Sequence, residues 1–544
     1  MGFNIADLFE RAVDAVPDRL ALVCGDRRLT YAEFEEEANR LANHLLAEGF
    51  GHGDHVGIYG QNSAEWLVAM VAIFKIRAVP ININFRYVED ELAYLFDNAD
   101  LVAVVHDRQY GPHIAAVRPR VPGLRHLIEV DDGTDVDTSA LGTVAWDDVM
   151  ASSSPERPVL ERSDDDHYVI YTGGTTGMPK GVVWRHEDVF YALGGGVDAY
   201  TNERVTHGFQ LAEKAASTEN PMISLNTPPL MHGAAQWGAL RFLFEGGTVV
   251  FVPRFDPAAV WTAVERDHVN TLMITGDAMA RPLVEALEEH PDAWDLSSLF
   301  VLSSSAAIFS PTVKEQMLDL LPNIIIVDAI GSSESGMNGM AVQTKGQTAT
   351  HGGGGPTVQA GRDAVVLDDD LNPLPPGTGW WASSPGAATS PSGTTRTPRR
   401  PRPTSWWPPT ATATWWPATS PSTRPTAPSP SSGGARCAST PAARRSTRRR
   451  WRVLKDHPEV YDTLVVGVPD DRWGQAVCAV VQPRHPEAPP SLDELNAHCR
   501  QHLAAYKTPK HLVVVDEVVR SPAGKPDYPW AAEVARAALA SAEA

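Results

Sequence analysis

Cysteine is scarce in this chain: Cys24, Cys437, Cys478 and Cys499 are all that 544 residues contain, and they form neither a CxxC pair nor a metal-ligand spacing. Neither a disulfide framework nor a zinc site is indicated, and a reducing, cytoplasmic compartment is expected. The N-terminus, Met1 to Asp7, lacks the basic residues of a secretion signal, and Ala6 stands where a myristoylation signal requires Ser or Thr. Neither export nor a lipid anchor is expected. The most apolar stretch, Trp66 to Ile81, is broken by Lys75, Arg77 and Pro80, so it reads as a core helix and strand and not as a membrane span. Membrane contact is expected to be peripheral at most. Positive charge is also in deficit: the formal net charge of -21 at pH 7 argues against nucleic acid as a partner and for small-molecule chemistry.

What is present is enough chain for more than one domain at about 150 residues each. The pattern from Asp7 to Gly49 is helical, with Thr30-Tyr31 opening a second amphipathic segment through Phe34, Leu41 and Leu45. Short β-rich runs follow, at Val56 to Tyr59, Leu101 to Val105, Thr248 to Val252, Leu272 to Ile274 and Ile324 to Val327, and they alternate with helical stretches. That alternation predicts an α/β fold, a large N-terminal domain of layered β-sheets flanked by helices over residues 1–381. A strand at Thr463 to Val468, a helix near Leu492 to Leu503 and a strand at His511 to Val515 predict a small α+β C-terminal domain, whose remainder spans 453–544.

Between the two lies a segment of another kind. From Ala382 to Arg450 every residue is Ala, Ser, Pro, Gly, Thr, Arg, Trp or Cys, with eleven arginines and not one acidic residue, Leu, Ile, Val, Phe or Lys. Such a composition cannot bury enough apolar surface to offset its ordering entropy, so disorder is expected across 382–452.

After the strand-like His167 to Ile170 comes Tyr171-Thr172-Gly173-Gly174-Thr175-Thr176-Gly177-Met178-Pro179-Lys180-Gly181-Val182. Four glycines, three hydroxyls and a lysine are the set that wraps amides and a cation around a polyphosphate. The spacing is not that of a Walker A loop. These twelve residues resemble the phosphate-binding signature of the adenylate-forming superfamily of acyl-CoA synthetases, adenylation domains and luciferases. The resemblance covers nearly the whole chain outside the aberrant segment. It implies ATP, Mg2+ and coenzyme A as cofactor and co-substrates, a carboxylic acid substrate, and a C-terminal domain that rotates between acyl-adenylate and thioester formation.

Carried onto this chain, the resemblance places ATP contacts at Thr172, Gly173, Gly174, Thr175, Thr176, Gly177 and Lys180. Pro228-Pro229-Leu230-Met231-His232-Gly233 is similar to the next signature, whose histidine or aromatic borders the acyl carboxylate, which gives His232 that role. Ser305 and Ala306 fall in the adenine-binding turn, where the family usually has Gly-Gly-Ala. Asp328, Ile330, Gly331, Ser332, Ser333 and Glu334 fall on the family's Tyr-Gly-x-Thr-Glu motif, with Ile330 in place of the aromatic and Ser333 in place of threonine. Glu334, with Thr175, is then the expected Mg2+ ligand, and a hard carboxylate beside phosphates is what that ion takes. Arg520 to Tyr528 matches the C-terminal lysine motif, and Lys525 is the expected adenylation lysine, offsetting the repulsion between a carboxylate and the phosphate chain it attacks. Thr175, His232, Glu334 and Lys525 form the expected catalytic set.

The family's ribose-binding Asp and the Gly-Arg pair before its hinge should lie between Gly379 and Val453, and neither is there. Joining the last base of each codon to the first two of the next restores both. From Gly433 through Arg452 the genetic code then permits Gly-Arg-Gly-Ser-Val-Arg-Ile-Asn-Thr-Gly-Gly-Glu-Lys-Val-Tyr-Pro-Glu-Glu-Val-Glu, which is the missing hinge motif, and at Ala418 and Thr419 it permits Gly-Asp. The segment therefore reads as translated out of frame in a GC-rich gene. As written, Thr419 and Gly434 occupy the ribose-Asp and hinge-Arg positions, and impaired activity is expected.

Trp184 to Asp188, Thr275 to Leu283 and Gly331 to Gly336 resemble bacterial long-chain fatty-acid and steroid-side-chain CoA ligases. The alternatives are an amino- or aryl-acid adenylation domain and a noncatalytic remnant. Against the first, no carrier domain follows Lys525 and Gly233 to Trp237 offer no acidic partner for an amino group.

Overall fold

The computed structural model describes residues 2–172, 179–193, 195–197, 203–307, 309–347, 357–360, 381–382, 435–437, 453–470, 474–519 and 527–543. Among them, an eleven-stranded sheet runs in the order Trp381–Ala382, Ala435–Cys437, Thr357–Ala360, Gly336–Gln343, Ile325–Ser332, Val301–Ser304, Thr271–Ile274, Ile223–Asn226, Thr248–Phe251, Leu20–Cys24, Arg27–Thr30. Its centre, from Ile325–Ser332 across to Leu20–Cys24, is parallel. A seven-stranded sheet has the order Val144–Ala145, His126–Val130, Leu101–Asp107, His55–Tyr59, Val79–Asn82, His167–Thr172, Lys180–Arg185, and only its last pairing is antiparallel. Parallel sheets bury both faces, which is why these strands read as continuous Val, Ile and Leu runs. The layered α/β expectation holds.

One core cluster joins the two sheets. It takes Ala21, Leu22, Val249 and Phe251 from the first, Val56, Ile58, Ala103, Tyr168 and Ile170 from the second, and the inward faces of the helices Ile5–Ala15, Tyr31–Ala47, Ala64–Lys75 and Gly233–Phe244. Ala64–Lys75 is buried at every position but Glu65. Its last residue, Lys75, is 0% exposed and is held by Glu10 and, at 2.8 Å, by Glu35, which in turn bind Arg162 and Arg157. Burial pushes the Glu10 carboxyl up, but the bonds and charges of Arg162 and Lys75 outweigh it and leave it below its usual value. That sign means the stabilisation is complete above the ordinary carboxylate range and is lost as pH falls through the lowered value. Lys75→Met removes the buried ammonium from a network in which Arg162 and Arg157 still hold Glu10 and Glu35, so it is expected to destabilise the chain by about 1–3 kcal/mol, read as a lower urea midpoint. An unchanged midpoint would contradict this role.

The helical reading of Asp7 to Gly49 needs one correction. The helix Ile5–Ala15 is followed by an antiparallel pair, Leu20–Cys24 with Arg27–Thr30, before the helix Tyr31–Ala47 begins. Thr30 opens that helix with a capping box, its hydroxyl accepting from the Glu33 amide while the Glu33 carboxylate accepts from the Thr30 amide.

Toward the C-terminus, Val460–Asp470, Gly474–Pro483 and His511–Val514 form a three-stranded sheet. The helix Tyr528–Glu543 covers one face through Ala531 and Ala535, and Leu492–Arg500 covers the other through Leu495 and Cys499. This unit touches the larger one through the turn after Leu492–Arg500. Lys507 Nζ lies 2.7 Å from Glu91, the Ala504 amide donates to Glu91 at 3.0 Å, His502 meets Asp90 at 3.2 Å, and Asn84 donates to the Tyr506 hydroxyl at 3.2 Å. Of the low-complexity segment 382–452, Ala382 and Ala435–Cys437 lie on the edge of the large sheet, and the expectation of disorder otherwise falls outside the described residues. Among the described residues no helix is long and apolar enough to cross a membrane.

Candidate active site

The phosphate loop springs from the antiparallel pair His167–Thr172 and Lys180–Arg185, whose last rung is Thr172 opposite Lys180. Gly173, Gly174, Thr175, Thr176 and Gly177 lie outside the described residues, so the structure locates the loop by its two ends. Both ends are pinned. Tyr171 lays its ring across Gly181, where a Cβ would come within 2.8 Å of that ring, and its hydroxyl donates to Asn98 at 2.9 Å. Lys180 is exposed.

The Glu334 turn belongs to the other sheet, between Ile325–Ser332 and Gly336–Gln343. It is tight because Gly331 and Gly336 pass closely. A Cβ on Gly331 would stand 2.4 Å from the Gly336 carbonyl, and Gly336 adopts φ +75 against the Ala192 carbonyl. Ser332 and Ser335 share a 2.8 Å hydroxyl contact inside the turn, and Asn338 donates to Ser335. Trp184 bridges the two sheets here, its indole donating to the Ser333 carbonyl at 2.8 Å. The strand that leaves the phosphate loop is thus hydrogen-bonded to the turn that carries Glu334.

The Glu334 carboxylate is exposed and makes no hydrogen bond or ion pair with another described residue, and no cluster of three or more metal-ligating side chains occurs among those residues. One carboxylate completed by phosphate oxygens and water is the donor set that Mg2+ takes, so the residues present fit that ion.

Ser305 and Ala306 follow the strand Val301–Ser304. Ala306 sits at φ +66, left-handed backbone that the glycine usual in the family adopts freely and alanine does not. Asp328 lies on Ile325–Ser332, buried, with its carboxylate paired to Lys314 of the helix Pro311–Leu320, and Lys314 in turn stands 5.4 Å over the Phe309 ring. Ile330 is half-buried three residues before Ser333.

His232 caps the helix Gly233–Phe244, where the positive end of the helix disfavours a charged imidazole. Its side chain is exposed. The surrounding protein and, secondly, the Arg86 guanidinium push it down to about 4. His232 is therefore neutral from pH 5 upward, and the pH profile of kcat/KM is expected to show no ionisation from it near 6.5. An inflection there that disappears in His232→Ala would contradict this assignment. The adenylation lysine expected at Lys525 lies outside the described residues, between Val519 and Asp527.

Sequence reading gave no role to Asn82, whose side chain bonds both Tyr171 and Met231, or to Asn62, whose Oδ1 accepts from Leu230 at 2.7 Å. A buried amide in an apolar strand carries no local signal of its partners. Trp184 stood within a family-like stretch, but nothing in the sequence linked it to Ser333.

The two-sheet body and the small C-terminal unit are those of an adenylate-forming enzyme. The chain belongs to the AMP-binding enzyme family, matching it over residues 9–379 and matching the AMP-binding enzyme C-terminal domain over 452–525. It is 46% identical to the 3-oxocholest-4-en-26-oate--CoA ligase of Rhodococcus rhodochrous over 98% of this chain and 96% of that protein. It is also 46% identical to the medium/long-chain-fatty-acid--CoA/3-oxocholest-4-en-26-oate--CoA ligase of Mycobacterium tuberculosis, with the same coverage. In fold it is similar to an amide bond synthetase from Marinactinospora thermotolerans, at TM-score 0.68 and 21% identity over 97% of this chain and 99% of that one.

Proposed function

We propose that the chain is an ATP- and Mg2+-dependent acid–thiol ligase that converts a long-chain fatty acid or steroid-side-chain acid to its acyl adenylate and then to the coenzyme A thioester. The Trp184–Ser333 bond supports this reading most, since it ties the phosphate loop's exit strand to the Glu334 turn. Thr172 to Thr176, Gly177 and Lys180 hold the phosphates with backbone amides, hydroxyls and one cation. Ser305, Ala306, Asp328, Ile330, Gly331, Ser332 and Ser333 border the adenosine, with Lys314 fixing the Asp328 carboxylate. Glu334 and Thr175 hold Mg2+, which supplies charge neutralisation on the phosphate oxygens.

His232, neutral, lies beside the carboxylate without repelling or protonating it. With the hinge in frame, Lys525 reaches the carboxylate and the α-phosphate together as the C-terminal unit closes, and closure keeps water from the mixed anhydride. The acid class follows the names of the relatives, and the cytoplasmic location follows the low cysteine content.

Mass-spectrometric detection of acyl adenylate and acyl-CoA, from palmitate and from a C26 steroid acid with ATP and CoA, tests the assignment. Thioester with either acid is the expected result. Adenylate formed only with amino or aryl acids would overturn it.

A further inference from the structure

We propose that Asn82 is a positioning residue that couples the phosphate loop to the acid-binding loop, so that filling the first fixes the second. The idea rests on the function proposed above for what the two loops bind. Asn82 ends the strand Val79–Asn82 and is 4% exposed. Its amide spans two separate stretches of main chain: Oδ1 accepts from the Tyr171 amide at 2.8 Å, while Nδ2 donates to the Tyr171 carbonyl at 2.9 Å and to the Met231 carbonyl at 2.6 Å.

Tyr171 is the last residue but one before the phosphate loop's glycines, and Met231 directly precedes His232. The strand Val79–Asn82 pairs with His167–Thr172 at Ile81 and Val169, and Asn82 carries the connection onward through its side chain. Both partners on the Met231 side and the Tyr171 side are backbone groups, so substitutions in the loops themselves do not remove the link. A buried amide left unbonded is costly, and displacing either loop alone would strand a donor of Asn82 and a carbonyl opposite it. Aspartate lacks the donor for Met231, and alanine lacks donor and acceptor both.

The chemistry gives the link a purpose. Adenylation requires a carboxylate oxygen held at attack distance from a phosphorus, and an error of an ångström between two independently anchored loops is expensive. A single side chain gripping both loops sets that distance.

Hydrogen–deuterium exchange on the intact chain, with saturating α,β-methylene ATP and Mg2+, tests the coupling. In the native chain the analogue is expected to slow exchange in peptides covering 168–182 and 227–236. In Asn82→Ala it is expected to protect the first still, while the ligand-dependent protection of the second falls about tenfold. Asn82→Asp keeps the acceptor for the Tyr171 amide and loses the donor to the Tyr171 and Met231 carbonyls, so the Tyr171 side stays bonded while the Met231 side is released; the same split is expected from it, and it serves if the alanine variant does not fold. Ligand-dependent protection retained at 227–236 in both variants overturns the coupling, even where exchange rises throughout the seven-stranded sheet as it would for a purely structural residue. Absence of protection at 168–182 in the native chain overturns the nucleotide-site reading, and the coupling falls with it.

Discussion

Restoring the reading frame across residues 382–452 is expected to raise the rate of thioester formation by about 100-fold or more over the chain as written. The out-of-frame reading implies two losses in the written form. Thr419 stands where the shifted frame has the ribose-binding aspartate, and Gly434 stands where it has the hinge arginine. A charge-assisted bond to a sugar hydroxyl contributes about 1.5–3 kcal/mol, and every 1.4 kcal/mol is a factor of ten in rate. A hinge that cannot present Lys525 and then withdraw it slows both half-reactions. The comparison needs two purified proteins and one assay, turnover of acid to CoA thioester at saturating ATP. Equal turnover would show that the segment is tolerated and that the damage inferred from it is absent. Sequencing the DNA across codons 375 to 455 decides separately whether the shift is in the gene.

Lys525→Ala, made in the frame-corrected chain, is expected to slow acyl-adenylate formation about 10²–10³-fold while leaving the transfer of a supplied acyl adenylate to coenzyme A unchanged. The asymmetry follows from charge. In the first step a carboxylate approaches a tetra-anionic nucleotide, and one ammonium group spanning both is the largest favourable contribution the C-terminal unit can make. In the second step a thiol attacks the carbonyl carbon of a singly charged mixed anhydride and AMP leaves, so far less repulsion has to be offset. A variant that loses both half-reactions equally would point to misfolding of the C-terminal unit, and one that loses neither would remove Lys525 from the mechanism.

The parts of this site that the sequence makes legible are the local ones. Tyr171 to Val182 announces its chemistry because every group proposed to grip phosphate lies within twelve consecutive residues, and the flanking strands follow from the apolar run His167 to Ile170. Thr30 and Glu33 announce a helix start for the same reason, three residues apart. The strand pair Leu20–Cys24 and Arg27–Thr30 escaped notice because five residues, LALVC, fit a helix as readily as a strand, and what decides the matter is pairing with Thr248–Phe251, more than two hundred residues away.

Distance in sequence hides the rest. Asn82 meets partners at Tyr171 and Met231, Trp184 meets Ser333, and Lys314 takes the Asp328 carboxylate, and no periodicity encodes such meetings. Asp328 illustrates the difference most clearly, since its motif placed it at the adenine whereas the fold also pairs it with a buried ammonium group. Ala306 is a case where sequence and backbone disagree. An alanine occupies a left-handed turn that suits glycine, and nothing in the structure explains the choice.

Everything proposed for the loop, Glu334 and Lys525 depends on attack at the α-phosphorus of ATP. Phosphorus NMR of the frame-corrected chain with ATP, Mg2+ and palmitate, before coenzyme A is added, reads that position directly. AMP esterified to the acid together with free pyrophosphate is the expected spectrum, appearing only when the acid is present. ADP with inorganic phosphate, or nucleotide cleavage that ignores the acid, would contradict it.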